Sequence, residues 1–450
     1  MLVSPFFTLK GTEMDTTNQS SEQEEQDLVV KKVLVSSFFA NFAEWMDYGS
    51  YAYLATIIAI VFFPDGDPAV KLMSTYAVFA LSFVARPIGA FFWGEMGDRK
   101  GRKWSLSVSV LLMTGATACI GLVPSYEAIG ITAPILLLIF RLIQGFSAAG
   151  EYAGAAIFIA EYAPKEKRGL YTSIVPASTA CGLLVGSFLA TILSLTLTED
   201  ALQSWGWRIP FLLALPIGVV VLRMWSTLND SEAYLEMVEK LEGKNAARQS
   251  PVRLIFTKYF RITLISFGVS SLNAVGFYMV LTYLPVYAET VVELDKATAD
   301  IITSITLLVY ISFIFLSGKI SDYFGRKKML ISASIGFIIF SLPCYILLGT
   351  GSVILMLVIE ILMAFILTIN DGTLASFLSE TFPTEVRYSG FAISFNLANT
   401  VFGGTVGFIS TWLVTQTGNS LAPAYYLMGV SAFAFICMIF AKEHKDKELA

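Results

Sequence analysis

Gly94-Glu95-Met96-Gly97-Asp98-Arg99-Lys100-Gly101-Arg102-Lys103 closes one hydrophobic stretch, and its echo closes another: Gly318-Lys319-Ile320-Ser321-Asp322-Tyr323-Phe324-Gly325-Arg326-Lys327. The Gly, Asp, Gly, Arg and Lys positions match at one constant offset. A second pair follows in the same order, Glu161, Pro164, Glu166 and Arg168 against Glu380, Pro383, Glu385 and Arg387. Ordered repeats in a strongly apolar chain predict two homologous membrane halves in tandem, the build of a transporter.

The 450 residues are 55% hydrophobic and 14% charged, with a mean hydropathy of +0.68. A soluble chain carries roughly a quarter charged residues, so most of this apolar surface needs lipid as its solvent. The net charge of -5 says little beside the location of the charges. Cys119, Cys181, Cys344 and Cys437 all fall in apolar stretches without paired spacing, which reads as buried free thiols; no metal site and no cofactor is expected. A short apolar start, Leu2 to Leu9, gives way to a polar and acidic stretch over 11–27. The first long span is therefore expected to act as an uncleaved signal anchor, with either Met1 or Met14 as the start.

Runs near the ~20 residues that cross a bilayer predict twelve spans. They cover 33–62, 72–96, 104–123, 131–160, 170–196, 207–226, 261–288, 299–321, 329–348, 352–379, 389–415 and 422–441. The predicted class is an all-α membrane protein of two six-helix bundles. Its parts are a polar tail (1–30), an N-terminal bundle (31–226), a linker (227–258), a C-terminal bundle (259–441) and a short tail (442–450). The linker, with Lys240, Lys244 and Arg248, is expected to form short amphipathic helices. Lys31 and Lys32, Arg99 to Lys103, Lys165 to Arg168, Arg326 to Lys328 and the tail lysines share one side, against Lys71, Arg208 and Lys296 on the other. The positive-inside rule then predicts both termini to be cytoplasmic.

Further segments carry a family likeness. They include Glu44-Trp45-Met46-Asp47-Tyr48-Gly49, Arg86-Pro87-Ile88-Gly89, and Gln144-Gly145-Phe146-Ser147 leading to Gly150-Glu151-Tyr152. Trp205-Gly206-Trp207-Arg208 and Phe382-Pro383-Thr384 with Arg387-Tyr388-Ser389-Gly390 complete the set. With the Asp98 loop, these resemble the metabolite:proton symporter branch of the major facilitator superfamily, and within it the proline/glycine betaine permeases, over about 33–441. Met46 stands where that branch usually has an aromatic, and Ala149 where it usually has Gly. The chain ends soon after the twelfth predicted span, so the long coiled-coil tail of osmosensing members is not expected. The resemblance implies proton-coupled uptake by a multi-pass protein of the inner membrane, acting as a monomer on a small molecule, with no nucleic-acid partner.

Charges at membrane depth cost a few kcal/mol or more and are functional candidates. Glu44, Asp47, Tyr48 and Tyr51 share one helical face. Arg141, with Gln144 and then Glu151 or Tyr152, marks a face of the fourth span. Arg141 reads as a cavity cation or as a salt bridge to the first span. Arg86 reads as structural, and Glu360 and Asp371 on the tenth span as proton, substrate or structural groups. Trp45, Tyr48, Tyr51, Tyr152, Gln144, Asn273, Tyr278, Asn396 and Arg141 are the candidate substrate contacts. The single histidine, His444, lies in the tail, so a carried proton falls to Glu44, Asp47 or Glu151. Asp98, with Arg99, Gly101 and Arg102, is expected to face a helix N-terminus in the other half and latch the halves; Asp322, Gly325 and Arg326 repeat the device. One well-placed cation suits a zwitterion better than a di- or tricarboxylate, though organic acids remain the alternative. No nucleophile–base pair suggests an enzyme. Drug antiport lacks its signature on the fifth span, and a non-transporting receptor is the remaining alternative.

Overall fold

The computed structural model describes residues 10–242, 249–445 and 448–449, and the described chain is helical with no strand. Lys244, Arg248, Lys447 and Met1 lie outside the described residues. Among the described residues, eleven helical segments are long and apolar enough to cross a bilayer, including Arg102–Leu122, Thr132–Tyr162, Phe260–Thr290, Val353–Thr381 and Ala422–Phe440. The first predicted span, 33–62, is not one of the eleven. A continuous helix runs over Lys10–Tyr53, and a second, Ala55–Phe62, begins after a break at Leu54. Asn41, Glu44 and Asp47 interrupt its apolar run, so its polar face demands protein rather than lipid around it.

The two halves are built alike. In the first, the Lys10–Tyr53 helix packs on Ile174–Thr196, and Pro68–Lys100 packs on Thr132–Tyr162. In the second, Lys296–Phe324 and Arg326–Leu348 both pack on Val353–Thr381. The halves meet along two matching seams: Pro68–Lys100 lies on Arg387–Ala398, and Lys296–Phe324 lies on Arg168–Thr172 and Ile174–Thr196. Small residues permit those close approaches; a side chain at Gly318 would press on Ser173, 2.8 Å away.

The linker forms the two short helices expected of it, Glu232–Glu242 and Pro251–Thr257. Ser250 caps the second through a bond from Arg253 N–H at 3.3 Å, and Pro251 sits at its first turn, where a missing N–H costs nothing. Glu95 accepts from Ser250 Oγ at 2.8 Å and Val252 N–H at 3.0 Å, pinning the linker to the first half. Of the four cysteines, only Cys344 is fully buried; the others are partly exposed on helix flanks.

Candidate functional site

At the end of the molecule that carries the repeated loops, each half inserts a carboxylate into a helix start of the other. Asp98 accepts from Tyr388 N–H at 3.0 Å and Ser389 N–H at 2.9 Å, at the start of Arg387–Ala398. Asp322 accepts from Gly169 N–H at 2.7 Å and Leu170 N–H at 2.9 Å, at the start of Arg168–Thr172. Free N–H groups and the helix dipole both favour a carboxylate there. Arginine–glutamate pairs flank each insertion. Glu161 takes Arg387 at 2.7 Å and Arg102 at 3.3 Å, while Glu380 takes Arg326 at 3.0 Å and Arg168 at 3.2 Å. Arg102 also donates to Thr384 O at 2.9 Å, crossing between halves.

Gly101 and Gly325 hold φ of +104° and +96°, a backbone region that side chains disfavour. Each leaves room for a carboxylate that caps the following helix: Asp230 accepts from Lys103 N–H at 2.8 Å, and Glu443 from Lys327 N–H at 2.9 Å. Burial pushes the Asp230 carboxyl above its usual range, although Lys103 N–H and Arg102 pull the other way. Lys103 and Lys327 complete the anchors by donating to Leu228 O and Ala441 O, the chain just past the last helix of each half. Arg99 pairs with Glu95 at 3.0 Å, and its carbonyl accepts from Tyr234 at 2.9 Å, tying the linker to the loop.

Between the halves lies a cavity lined by Glu44, Arg86, Tyr152, Asn273, Asp371 and Asn399, with Trp45, Pro176, Thr179, Phe277 and Phe395. Arg86 donates to Glu44 Oε1 and to Tyr48 Oη, both at 3.1 Å, with its guanidinium 4.8 Å from the Phe83 ring centre. Among the described residues, Glu44 Oε2 and Arg86 Nε, both buried, have no hydrogen-bond partner. Glu151 is 1% exposed, near enough to Glu44 and Arg86 for their charges to act on it, and among the described residues neither of its oxygens has a hydrogen-bond partner. In the wider wall, helix bonding loosens beside the cavity: Gly404 N–H reaches back five residues to Asn399 O at 2.8 Å.

Arg141 is placed differently from the cavity-cation reading. It donates to Asp47 Oδ2 at 2.6 Å, both side chains fully buried, and lies 3.8 Å over the Tyr51 ring. Gln144 bridges the same Asp47 oxygen at 3.2 Å and Thr117 Oγ1 at 2.6 Å. Arg141, Gln144, Asp47 and Tyr51 thus form a knot inside the first half, away from the cavity wall. Helical twist is the reason: three residues apart, Glu44 faces Pro68–Lys100 while Asp47 faces Thr132–Tyr162. Asn396 spans the seam instead of lining the cavity, donating to Ala149 O at 3.0 Å. Tyr278 packs edge-on against Phe83 at 5.9 Å, and its buried hydroxyl has no hydrogen-bond partner among the described residues. Trp45, Tyr152 and Asn273 do line the cavity.

The sequence reading preferred Arg141 to Arg86 as the cavity cation, held Asp371 as a proton, substrate or structural group, and did not single out Asp230 and Glu443 as anchors. The signal for Asp230 and Glu443 was available: each is an acidic residue within a few positions of the end of the last helix of its half.

The model of the Major Facilitator Superfamily matches residues 33–407 and 291–450. The chain belongs to the Major Facilitator Superfamily. It is 35% identical over 426 residues to the glycine betaine/proline/ectoine/pipecolic acid transporter OusA of Dickeya dadantii, covering 93% of this chain and 85% of that one. It is 36% identical over 428 residues to the proline/betaine transporter of Escherichia coli K12, with the same coverage of both chains. Its fold matches that of a proton:xylose symporter, XylE, bound to 6-bromo-6-deoxy-D-glucose, with a TM-score of 0.78, 19% identity, and coverage of 94% and 98%. With its apolar helices, this membership makes the chain a multi-pass inner-membrane transporter, not an enzyme.

Proposed function

We propose that this protein takes up a small zwitterionic osmolyte of the proline/glycine betaine type together with a proton, by alternating access. The names of its bacterial relatives support the substrate class. The observation that carries the mechanism is the Arg86–Glu44 pair in the central cavity, with Glu151 bare behind it. In this reading the chain crosses the membrane twelve times, the Lys10–Tyr53 and Ala55–Phe62 helices supplying the first crossing. Both termini and the repeated loops are cytoplasmic by the positive-inside rule.

One guanidinium then serves two carboxylates in turn. The substrate's carboxylate takes Arg86, matched to its planar fork, and Glu44 is displaced. A displaced Glu44 beside Glu151 puts two uncompensated carboxyls in a dry site, which is tolerable only if a proton enters with the substrate. Substrate and proton thereby load together. Asp47 stays with Arg141 in the first half and holds the Tyr51–Gln144 face in position.

Loading alone does not transport; the latches supply the switch. With Asp98 and Asp322 seated on opposing helix starts, the cytoplasmic exit is shut and the loaded cavity opens outward. Their release lets the halves rock apart on the cytoplasmic side. A di- or tricarboxylate would bring two or more negative charges to a cavity that already holds Glu44 and Asp371 and whose lining guanidinium, Arg86, is paired with Glu44, so organic acids fit less well.

Competition by a panel of osmolytes and organic acids for labelled betaine uptake into proteoliposomes tests the substrate class. Betaine and proline should compete, and citrate and α-ketoglutarate should not. The opposite order would overturn the reading.

A further inference from the structure

Asp371 sits on the Val353–Thr381 helix in the cavity wall, 1% exposed. Asn273 Nδ2 donates to its Oδ1 and Tyr310 Oη to its Oδ2, each at 2.6 Å. These two short bonds fix the orientation of the carboxylate. Its charge has no match: among the described residues, no lysine or arginine comes within 4.0 Å of it. Glu44 and Asp47 each have an arginine, and Glu161 and Glu380 each have two. An oriented, buried carboxylate without a counter-ion, opening on a cavity, is a place for a cation from outside the chain.

The cavity's aromatic wall indicates which cation. Tyr152 stacks flat on Phe395, ring centres 4.4 Å apart and planes within 4°, and Trp45 meets Phe277 at 5.3 Å. All four residues line the same space as Asp371. Aromatic faces around a carboxylate recognise an alkylated ammonium through its spread charge and its methyl or methylene surface. Each Asp371 oxygen already accepts one strong hydrogen bond, so the ligand is asked for charge and shape more than for N–H donors.

Resting on the zwitterion reading above, we propose that Asp371 is the subsite for the substrate's ammonium end, with the aromatic wall around it and Arg86 holding the carboxylate. Arg86 belongs to the first half and Asp371 to the second. A zwitterion therefore bridges the halves, and a ligand lacking either charge does not. Asn273 and Tyr310 aim the carboxylate into the cavity.

The test compares glycine betaine with 3,3-dimethylbutyrate, its carbon isostere, which keeps the carboxylate and shape and lacks the positive charge. Binding to the purified full-length protein is measured by competition against labelled betaine. Wild type should prefer betaine by about 30-fold or more, the size expected of a desolvated cation contact. Asp371→Asn should shrink that preference to within about threefold, chiefly by weakening betaine, and Asp371→Glu should restore most of it. An unchanged preference in Asp371→Asn overturns the assignment. So does equal affinity for the two ligands in wild type, a result that needs no variant. If Arg86→Lys weakens betaine while Asp371→Asn keeps the wild-type preference, the subsite fails and the zwitterion reading stands. If wild type binds neither betaine nor proline, both fall.

Discussion

Replacing Asp98 with Asn should unbalance the transport cycle while leaving substrate contacts intact. Asp98 is fully buried and accepts two backbone N–H bonds from the opposite half, at 2.9 and 3.0 Å. Asn keeps one acceptor oxygen and turns an amide donor toward the other N–H. A hydrogen bond to a charged group contributes about 1.5–3 kcal/mol, and the helix-start charge interaction adds a fraction more. A loss of about 2–3 kcal/mol in the latched conformer alone shifts its ratio to the open one by roughly 30- to 150-fold. Spin labels at exposed Lys100 and Lys328, on a cysteine-free background, report the separation of the two cytoplasmic loops by electron–electron double resonance. The long-distance population should rise in Asp98→Asn, and uptake should fall with substrate affinity changed only modestly. Asp322→Asn should do the same from the other seam. An unchanged distance distribution, together with affinity lost about a hundredfold at normal turnover, would mark Asp98 as a ligand contact and refute the latch.

Other outcomes follow from the same geometry. Arg86→Lys should weaken betaine binding by about tenfold or more, because charge is kept but the bidentate fork is lost; titration calorimetry reads it directly. Arg141→Lys should instead lower the midpoint of thermal unfolding and leave affinity nearly intact, since its partners are Asp47 and Tyr51. Glu151→Gln should retain betaine exchange across the membrane but lose accumulation against a gradient; a variant that accumulates like wild type removes Glu151 from the proton path. Gly101→Ala should cost about 1–2 kcal/mol in stability, because the residue sits at φ +104° against Asp230, and chemical unfolding in mild detergent measures it.

The placement of Asp98 and Asp322 on helix starts across the seam was legible because the loop is written twice. A carboxylate repeated with its glycines and arginine, at the same place in each half, points to a job beyond topology. The cavity was less legible. Helical spacing put Glu44 and Asp47 on one face, but it could not say that they meet different helices, Glu44 facing Arg86 and Asp47 facing Arg141. Which arginine serves the cavity depends on the packing angle of three helices, and no local pattern encodes that. Asp371 was visible as a membrane-depth charge, yet its two donors come from helices far away in sequence. Asn41, Glu44 and Asp47 lower the apolar score of 33–62, the one predicted span absent from the eleven apolar segments among the described residues.

The central claim is that substrate and proton enter together, and lumenal pH measures it most directly. Proteoliposomes with trapped pyranine are held at equal pH and zero potential, without sodium, and betaine is added outside. Co-transport predicts that the lumen acidifies as labelled betaine enters, that a protonophore abolishes the pH change, and that Glu151→Gln loses it. Betaine entry at wild-type rates with no change in lumenal pH, or entry only when sodium is supplied, would contradict the account.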